Sequence, residues 1–170
     1  MRRLFDFARN TRARRRNSER GQALVMVVLL FPVIMLVLAM VLAVATLESA
    51  KTRVTDQVDQ AAVTSAYQVD MSTIWSGAQL SAETEQVARE YLQRNLTAVS
   101  SLIEEDPADI ASSADVYVSN TAGPNPITGL VDPGPSVTIR ARVSVLVPLL
   151  GLIGIHSVPI TVIGWSELRH

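Results

Sequence analysis

The pattern of hydrophobic and polar positions divides the chain into an apolar first helix and a mixed remainder. No charged residue occurs from Gly21 to Leu47, a run of 27 positions. As a helix this run is about 40 Å long, which exceeds the roughly 30 Å hydrocarbon core of a bilayer. Pro32 lies inside it, and transmembrane helices tolerate proline. The pattern predicts a transmembrane helix over residues 22–47.

The hydrophobic spacing also predicts that the helix continues beyond the apolar run. Apolar or small residues recur there at helical intervals, so that they share one face. These residues are Val54, Val58, Ala61, Ala62, Ser65 and Val69. We therefore expect an amphipathic stem helix over residues 48–71, continuous with the transmembrane helix.

The remainder of the chain predicts a second helix followed by strands. Ser81 suits a helix N-cap and Pro107 a stop signal, which places this helix at residues 81–103. Alternation of apolar and polar residues from Val137 to Val147 is typical of a half-buried strand. We expect an α+β fold in which a small antiparallel sheet of about three strands packs on the stem, with strands near 115–119, 136–147 and 159–167.

Two connections differ in composition. The loop from Thr121 to Pro135 holds four prolines and three glycines, which indicates turns rather than a linker between domains. The connection from Leu149 to Val158 is rich in Leu and Ile. We interpret it either as a hydrophobic lid over the sheet or as a contact with a partner or the membrane surface.

Charge is distributed unevenly along the chain. Residues 1–20 carry eight arginines against Asp6 and Glu19, whereas residues 21–170 carry seven basic and fourteen acidic side chains. The positive-inside rule then predicts a basic cytoplasmic leader at 1–21 and an extracytoplasmic α+β domain at 48–170, in a single-pass protein of the cell membrane. A nucleic-acid-binding arm is the alternative use of the arginines. Membrane topology is sufficient to explain these arginines, and we therefore expect no nucleic-acid partner.

Composition narrows the candidate chemistry. The chain has no cysteine, which excludes disulfide scaffolds and thiolate chemistry, and it has only two histidines. No nucleophile or orienting group is evident in sequence for His156. The acidic residues Glu104, Glu105, Asp106, Asp109 and Asp115 lack calcium-loop spacing and are interpreted as a solvated helix end. We expect no catalytic residue, cofactor, metal site or small-molecule substrate, and no enzymatic activity.

One glycine stands at the join between the arginines and the apolar run. A protease at the cytoplasmic face needs a small residue that can extend, and Gly21 fits this requirement. The alternative is that Gly21 only marks the start of the helix. Ala43-Val44-Ala45 offers a competing site for signal peptidase, but the apolar run before it is longer than the 7 to 15 residues typical of a removable signal.

At these residues the sequence resembles the TadE/TadG-like family of the Tad (Flp) pilus apparatus. The segment ERGQALVMVVLLFPVIMLVLAMVLAVA is similar to the family's opening, and VTIRARVSVLVPLLGLIGIHSVPITVIGWSELR resembles its ending. The resemblance implies a minor pilin-like protein (a pseudopilin) of a pilus or related secretion system. A membrane assembly component fits equally well. Either would act by helix packing and by contacts with other pilin or pilus-assembly subunits.

The resemblance also implies how the leader is processed. A prepilin peptidase would cut after Gly21 and leave Gln22 as the new N-terminus. The family commonly has a glutamate five residues after the glycine, where this chain has Met26. Met26 cannot pair with the free amine of a neighbouring subunit, as that carboxylate is thought to do. The alternative function, from a different class, is a membrane-anchored extracytoplasmic binding or sensor domain.

Overall fold

The computed structural model describes residues 2–70 and 79–168, with side chains from Val25 onward except at positions 152 and 153. The chain divides into two compact units, one that ends at Leu42 and one that begins at Ala43. The first helix, α1 (Arg2–Ala66), runs through Pro32 without interruption. Its section Val25–Ala66 is the one candidate membrane span within the described residues, with a mean hydropathy of 3.2 in its most apolar window. This confirms the predicted long apolar helix, which suits single-pass anchoring in a membrane.

Helix α1 ends at Ala66, five residues before the predicted end of the stem. The backbone beyond it pairs with a distant segment instead of continuing the helix. The N–H of Ser81 donates to the carbonyl oxygen of Gln68 at 2.9 Å, and Val69 forms an isolated antiparallel bridge with Leu80. These bonds join the end of the stem to another segment of the chain, and the helical periodicity of the stem gives no indication of them.

The second helix is shorter than the predicted span 81–103. Helix α2 occupies Thr84–Thr97, and a 3₁₀ turn follows at Ser100–Leu102. Ser81 heads the preceding turn, where its hydroxyl oxygen accepts a hydrogen bond from the N–H of Glu83 at 3.2 Å. At the other end Ile103 is extended and bridges Val145 of the sheet. Sheet pairing therefore replaces the last helical turn.

A further short helix, α3 (Pro107–Ser113), follows directly. Asp106 is its N-cap and accepts a hydrogen bond from the N–H of Ala108 at 2.8 Å, while Pro107 occupies the first turn. Both residue types favour a helix start. Pro107, interpreted from sequence as a stop signal, thus also begins the next helix.

The antiparallel sheet has the predicted three strands in the order β1 (Asp115–Ser119), β4 (Ser136–Leu146) and β5 (Ser157–Glu167). The observed strands agree with the predicted spans to within two residues at each end. A two-stranded ribbon lies in the proline- and glycine-rich loop, with β2 at Gly123–Pro124 and β3 at Val131–Asp132. The α+β fold class is confirmed.

The core of the C-terminal unit lies between one face of the sheet, the stem and α2. The predicted apolar face of the stem is buried at Val54, Val58, Ala61, Ala62 and Ser65. Alternate residues of β4 from Val137 to Val145 and the α2 residues Leu92 and Leu96 complete this core. Burial of these aliphatic side chains holds the sheet on the stem.

Candidate processing and assembly sites

The candidate processing residues lie within the first helix. Gly21 and Gln22 are both inside α1. A peptidase acts on an extended backbone, so cleavage after Gly21 requires this part of the helix to unwind. Glycine favours the helix by about 1 kcal/mol less than alanine does, which lowers the cost of unwinding at this position.

Met26 lies one helical turn further along α1, and it is 67 % exposed. It belongs to a surface of apolar side chains that extends all round the helix from Val25 to Leu42. A helix that is apolar on every side requires a lipid or protein environment. The side chain of Met26 therefore faces the lipid or protein that surrounds this helix, and it provides no carboxylate there.

In the C-terminal unit, strand β5 approaches the backbone of the stem closely at Gly164. A Cβ atom at Gly164 would lie 2.7 Å from the carbonyl oxygen of Val58. Next to this contact, the Asp59 carboxylate accepts a hydrogen bond from the backbone N–H of Trp165. Partial burial raises the pKa of Asp59 above its ordinary value; the hydrogen bond from Trp165 opposes the rise and the charge of Asp56 adds to it.

A buried polar cluster fastens the proline- and glycine-rich loop to the opposite face of the sheet. The Asp132 carboxylate accepts hydrogen bonds from the Asn125 amide at 2.9 Å, from the Ser136 hydroxyl at 2.6 Å and from the Trp165 indole at 3.2 Å. Asn125 also donates to Thr138 at 2.7 Å. We call these five residues the polar cluster. No buried side-chain polar atom in the described part of the chain lacks a partner.

Three of the five acidic residues that the sequence suggested as a solvated helix end, Glu105, Asp106 and Asp115, have separate structural roles. The Glu105 carboxylate accepts a hydrogen bond from the N–H of Ser144 at 2.8 Å, next to the point where Ile103 bridges β4. Burial acts against the ionised form of Glu105, but bonds from the hydroxyl and N–H of Ser144 outweigh it and lower the pKa. Asp115 pairs with Arg140 at 2.7 Å. With Asp106 as the cap of α3, these carboxylates stabilise the ends of strands and helices.

A groove of about 330 Å³ lies beside β1, and its lining includes Arg89, Tyr117 and Arg140. Both arginines already have partners. Arg140 binds Asp115, and Arg89 donates to the carbonyl oxygens of Ala111, Ser112 and Ala114 at the end of α3 while it pairs with Glu85. The groove therefore offers a bound anion no uncommitted guanidinium.

These features define a protein with a long apolar helix that is a candidate membrane span and an α+β unit packed on the continuation of that helix. Residues 21–68 match the Tad family model, described as TadE/G-like Flp pilus assembly. The match begins at Gly21 and includes Gln22, Met26 and the apolar face of the stem. No curated protein and no solved structure matches the chain.

The family resemblance of the opening segment is thereby confirmed. The resemblance of the C-terminal strands lies outside the matched residues and stays a prediction. Sequence reasoning missed the polar cluster and the contact of Gly164 with Val58. The first has only a weak signal, two polar residues in a loop that otherwise indicates turns. The second depends on a contact between segments more than 100 residues apart.

Proposed function

We propose that the chain is a minor pilin-like protein, or a membrane assembly component, of a Tad/Flp-type pilus or a related secretion system. The observation that carries this proposal is the match of residues 21–68 to the pilus-assembly family, in a segment that exposes an apolar surface all round the helix. Such a surface suits lateral packing with the apolar helices of other subunits in a bilayer or a filament. The protein acts by helix packing and by protein–protein contacts, and it catalyses no reaction.

The proposal includes a topology and a set of partners. Residues 1–21 are a cytoplasmic leader, 22–47 cross the cell membrane, and 48–170 lie outside. The arginines of the leader support this orientation through the positive-inside rule. The partners are the lipid bilayer, other pilin or pilus-assembly subunits, and a prepilin peptidase that cuts after Gly21.

The alternative function is a membrane-anchored extracytoplasmic binding or sensor domain. The groove beside β1 is its candidate ligand site, because it combines Tyr117 and Ile127 with two arginines. The partners that Arg89 and Arg140 already have weaken this alternative. We therefore favour the pilus proposal.

Deletion of the gene in its own host tests the function. We expect cells without the protein to lose surface pili in electron micrographs, and the full chain supplied in trans to restore them. A variant with Tyr117→Ala, which changes the groove lining and leaves the hydrogen bonds of Arg89 and Arg140 in place, restores pili as well as the natural chain does. Normal piliation of the deletion strain would contradict the proposal, and a phenotype specific to the groove variant would favour the sensor alternative.

Protease accessibility tests the topology. Proteinase added to intact spheroplasts that carry the uncut Gly21→Leu variant should degrade residues after 48 and spare the leader, whereas permeabilised spheroplasts should lose both. Protection of the C-terminal unit in intact spheroplasts would contradict the orientation.

A further inference from the structure

The connection between β4 and β5 carries apolar side chains that the core does not use. We call residues 147–156 the hairpin tip. It contains the 3₁₀ helix Pro148–Ile153 and is closed by a hydrogen bond of 2.9 Å from the N–H of Val147 to the carbonyl oxygen of His156. Leu149 is 37 % exposed and Ile155 is 43 % exposed. From Val143 to Ser166 the chain has no Asp, Glu, Lys or Arg.

The contacts of β5 within the C-terminal unit show how far along α1 the hairpin tip lies. Gly164 contacts Val58, and the next residues, 165–168, line a cavity with Val63, Ala66 and Tyr67. Strand β5 and the stem therefore run in the same direction. The strand begins seven residues before Gly164, at Ser157, which corresponds to about 23 Å of strand or about 15 helical residues. The start of β5 is thus level with residues near Ala43.

Burial supports this placement independently. Ala43 is 2 % exposed, although its neighbours Leu42 and Val44 are each more than half exposed. Val147 is fully buried at the start of the hairpin tip. Both residues lie outside the main core cluster, which agrees with a small separate contact at this end of the unit.

We infer that the hairpin tip inserts into the lipid interface beside α1 as a second membrane contact. The uncharged run of α1 ends at Leu47, and the first charge after it is Glu48. This run is longer than a bilayer core requires, so the boundary between hydrocarbon and headgroups falls near its last turns. The hairpin tip reaches that boundary with exposed Leu and Ile side chains, whose apolar area favours lipid contact, and with no Asp, Glu, Lys or Arg that would have to be desolvated there. Because the hairpin tip lies at this position along α1, a lipid surface is the partner that it contacts.

This inference rests on the membrane anchoring in the proposed function, and not on the role in a pilus. Flotation of the full chain with vesicles tests the anchoring separately. If the chain floats and the hairpin tip does not contact lipid, the inference fails while the proposed function stands.

The natural chain has no cysteine, which allows a single label at a chosen site. The full-length variants Ile155→Cys and Leu149→Cys place an environment-sensitive NBD dye on the hairpin tip. Leu130→Cys is the matched control, because Leu130 is an apolar residue that is 70 % exposed beside β3, near the other end of β4. Each variant is reconstituted in phosphatidylcholine–phosphatidylglycerol vesicles with or without lipids that carry a doxyl quencher near the headgroup. Circular dichroism confirms that each variant is folded.

We expect blue-shifted emission from the labels at 155 and 149, and loss of most of that emission when doxyl lipids are present. The label at 130 should keep its water-like emission and resist the quencher. Water-like, unquenched emission from both tip sites would overturn the inference. Blue-shifted emission that doxyl lipids do not quench would overturn it in favour of a protein contact. Equal quenching at 130 and 155 would also overturn it, because lipid contact would then not be specific to the hairpin tip.

Discussion

Gly164 lies against the backbone of Val58 so closely that the stem and strand β5 leave no room for a side chain between them. A Cβ atom there would lie 2.7 Å from the Val58 carbonyl oxygen, 2.8 Å from its carbonyl carbon and 2.9 Å from the nitrogen of Asp59. All three are backbone atoms of a helix, so none of them can move aside as a flexible side chain would. This contact sets the distance at which the sheet packs on the stem.

Gly164→Ala therefore forces the sheet away from the helix. We expect it to lower the free energy of unfolding of the C-terminal unit by about 1–3 kcal/mol, the usual cost of overpacking a core. Thermal unfolding of the full chain in detergent, followed by near-ultraviolet circular dichroism, measures the loss. Gly134→Ala is the control, since its Cβ would meet nothing within 4 Å, and it should change stability by less than about 0.5 kcal/mol. Equal stability of both variants would show that the contact is not rigid.

The raised pKa of Asp59 makes the stability of the unit depend on pH. Because the folded state holds this proton more tightly than the unfolded state does, the contribution of Asp59 to stability falls as the pH rises through the interval between 3.8 and its folded pKa. Asp59→Asn removes the ionisation and keeps an oxygen that can accept from Trp165. We expect the variant to be more stable than the natural chain at neutral pH, with a difference that vanishes in acid. Urea unfolding across this pH range measures it, and a difference independent of pH would contradict the assignment.

The polar cluster should tolerate no change of Asp132. In Asp132→Asn one oxygen becomes an NH₂ group, which must face either the Trp165 indole N–H or the amide of Asn125. A donor then faces a donor in a buried site, and we expect a loss of about 1–3 kcal/mol. Asp109→Asn makes the same change at an exposed position of α3 and should cost less than about 0.5 kcal/mol. Equal effects in denaturant unfolding would show that the cluster contributes nothing specific.

Much of this fold could be predicted from the sequence because its elements have strong local patterns. The alternation from Val137 to Val145 defined β4, and the spacing from Val54 to Ser65 defined the buried face of the stem. The ends of the helices were wrong by three to six residues, because distant backbone groups compete for their terminal bonds. Leu80 and Val145 supply the pairing that shortens them, and neither lies near these ends in sequence.

The candidate sites differ from one another in how far the sequence could predict them. Gly21 and Met26 stand in a linear motif, so sequence alone could identify them, and the segment that matches the family contains both residues. Their roles stay predictions. The polar cluster joins residues from a loop and two strands, and the hairpin tip reaches its level only through the packing of β5 on the stem. Such relationships depend on tertiary structure, and the hydrophobic periodicity of the sequence does not indicate them.

Met26 predicts where the protein lies in a filament. If subunits pair as the family resemblance implies, this chain inside the shaft would leave the N-terminal amine of a neighbour unpaired, which costs several kcal/mol when the amine is removed from water. We expect immunogold labelling of the C-terminal unit at filament ends or only in the membrane fraction. Met26→Glu restores a carboxylate and should move part of the protein into the shaft, whereas Met26→Gln, similar in size but uncharged, should not. Regular labelling of the natural protein along the shaft would contradict this prediction.

The central claim, that this chain is a processed pilus component, is tested most directly by mass spectrometry of its N-terminus in the native membrane. We predict that the mature protein begins at Gln22, and that Gly21→Leu keeps Met1 and is heavier by the mass of the leader, whereas Ala23→Leu is still cut. Retention of Met1 by the natural protein when prepilin peptidase is present would contradict the claim. A mature N-terminus at Thr46 would contradict it too, because ordinary signal peptidase would then have removed the transmembrane segment.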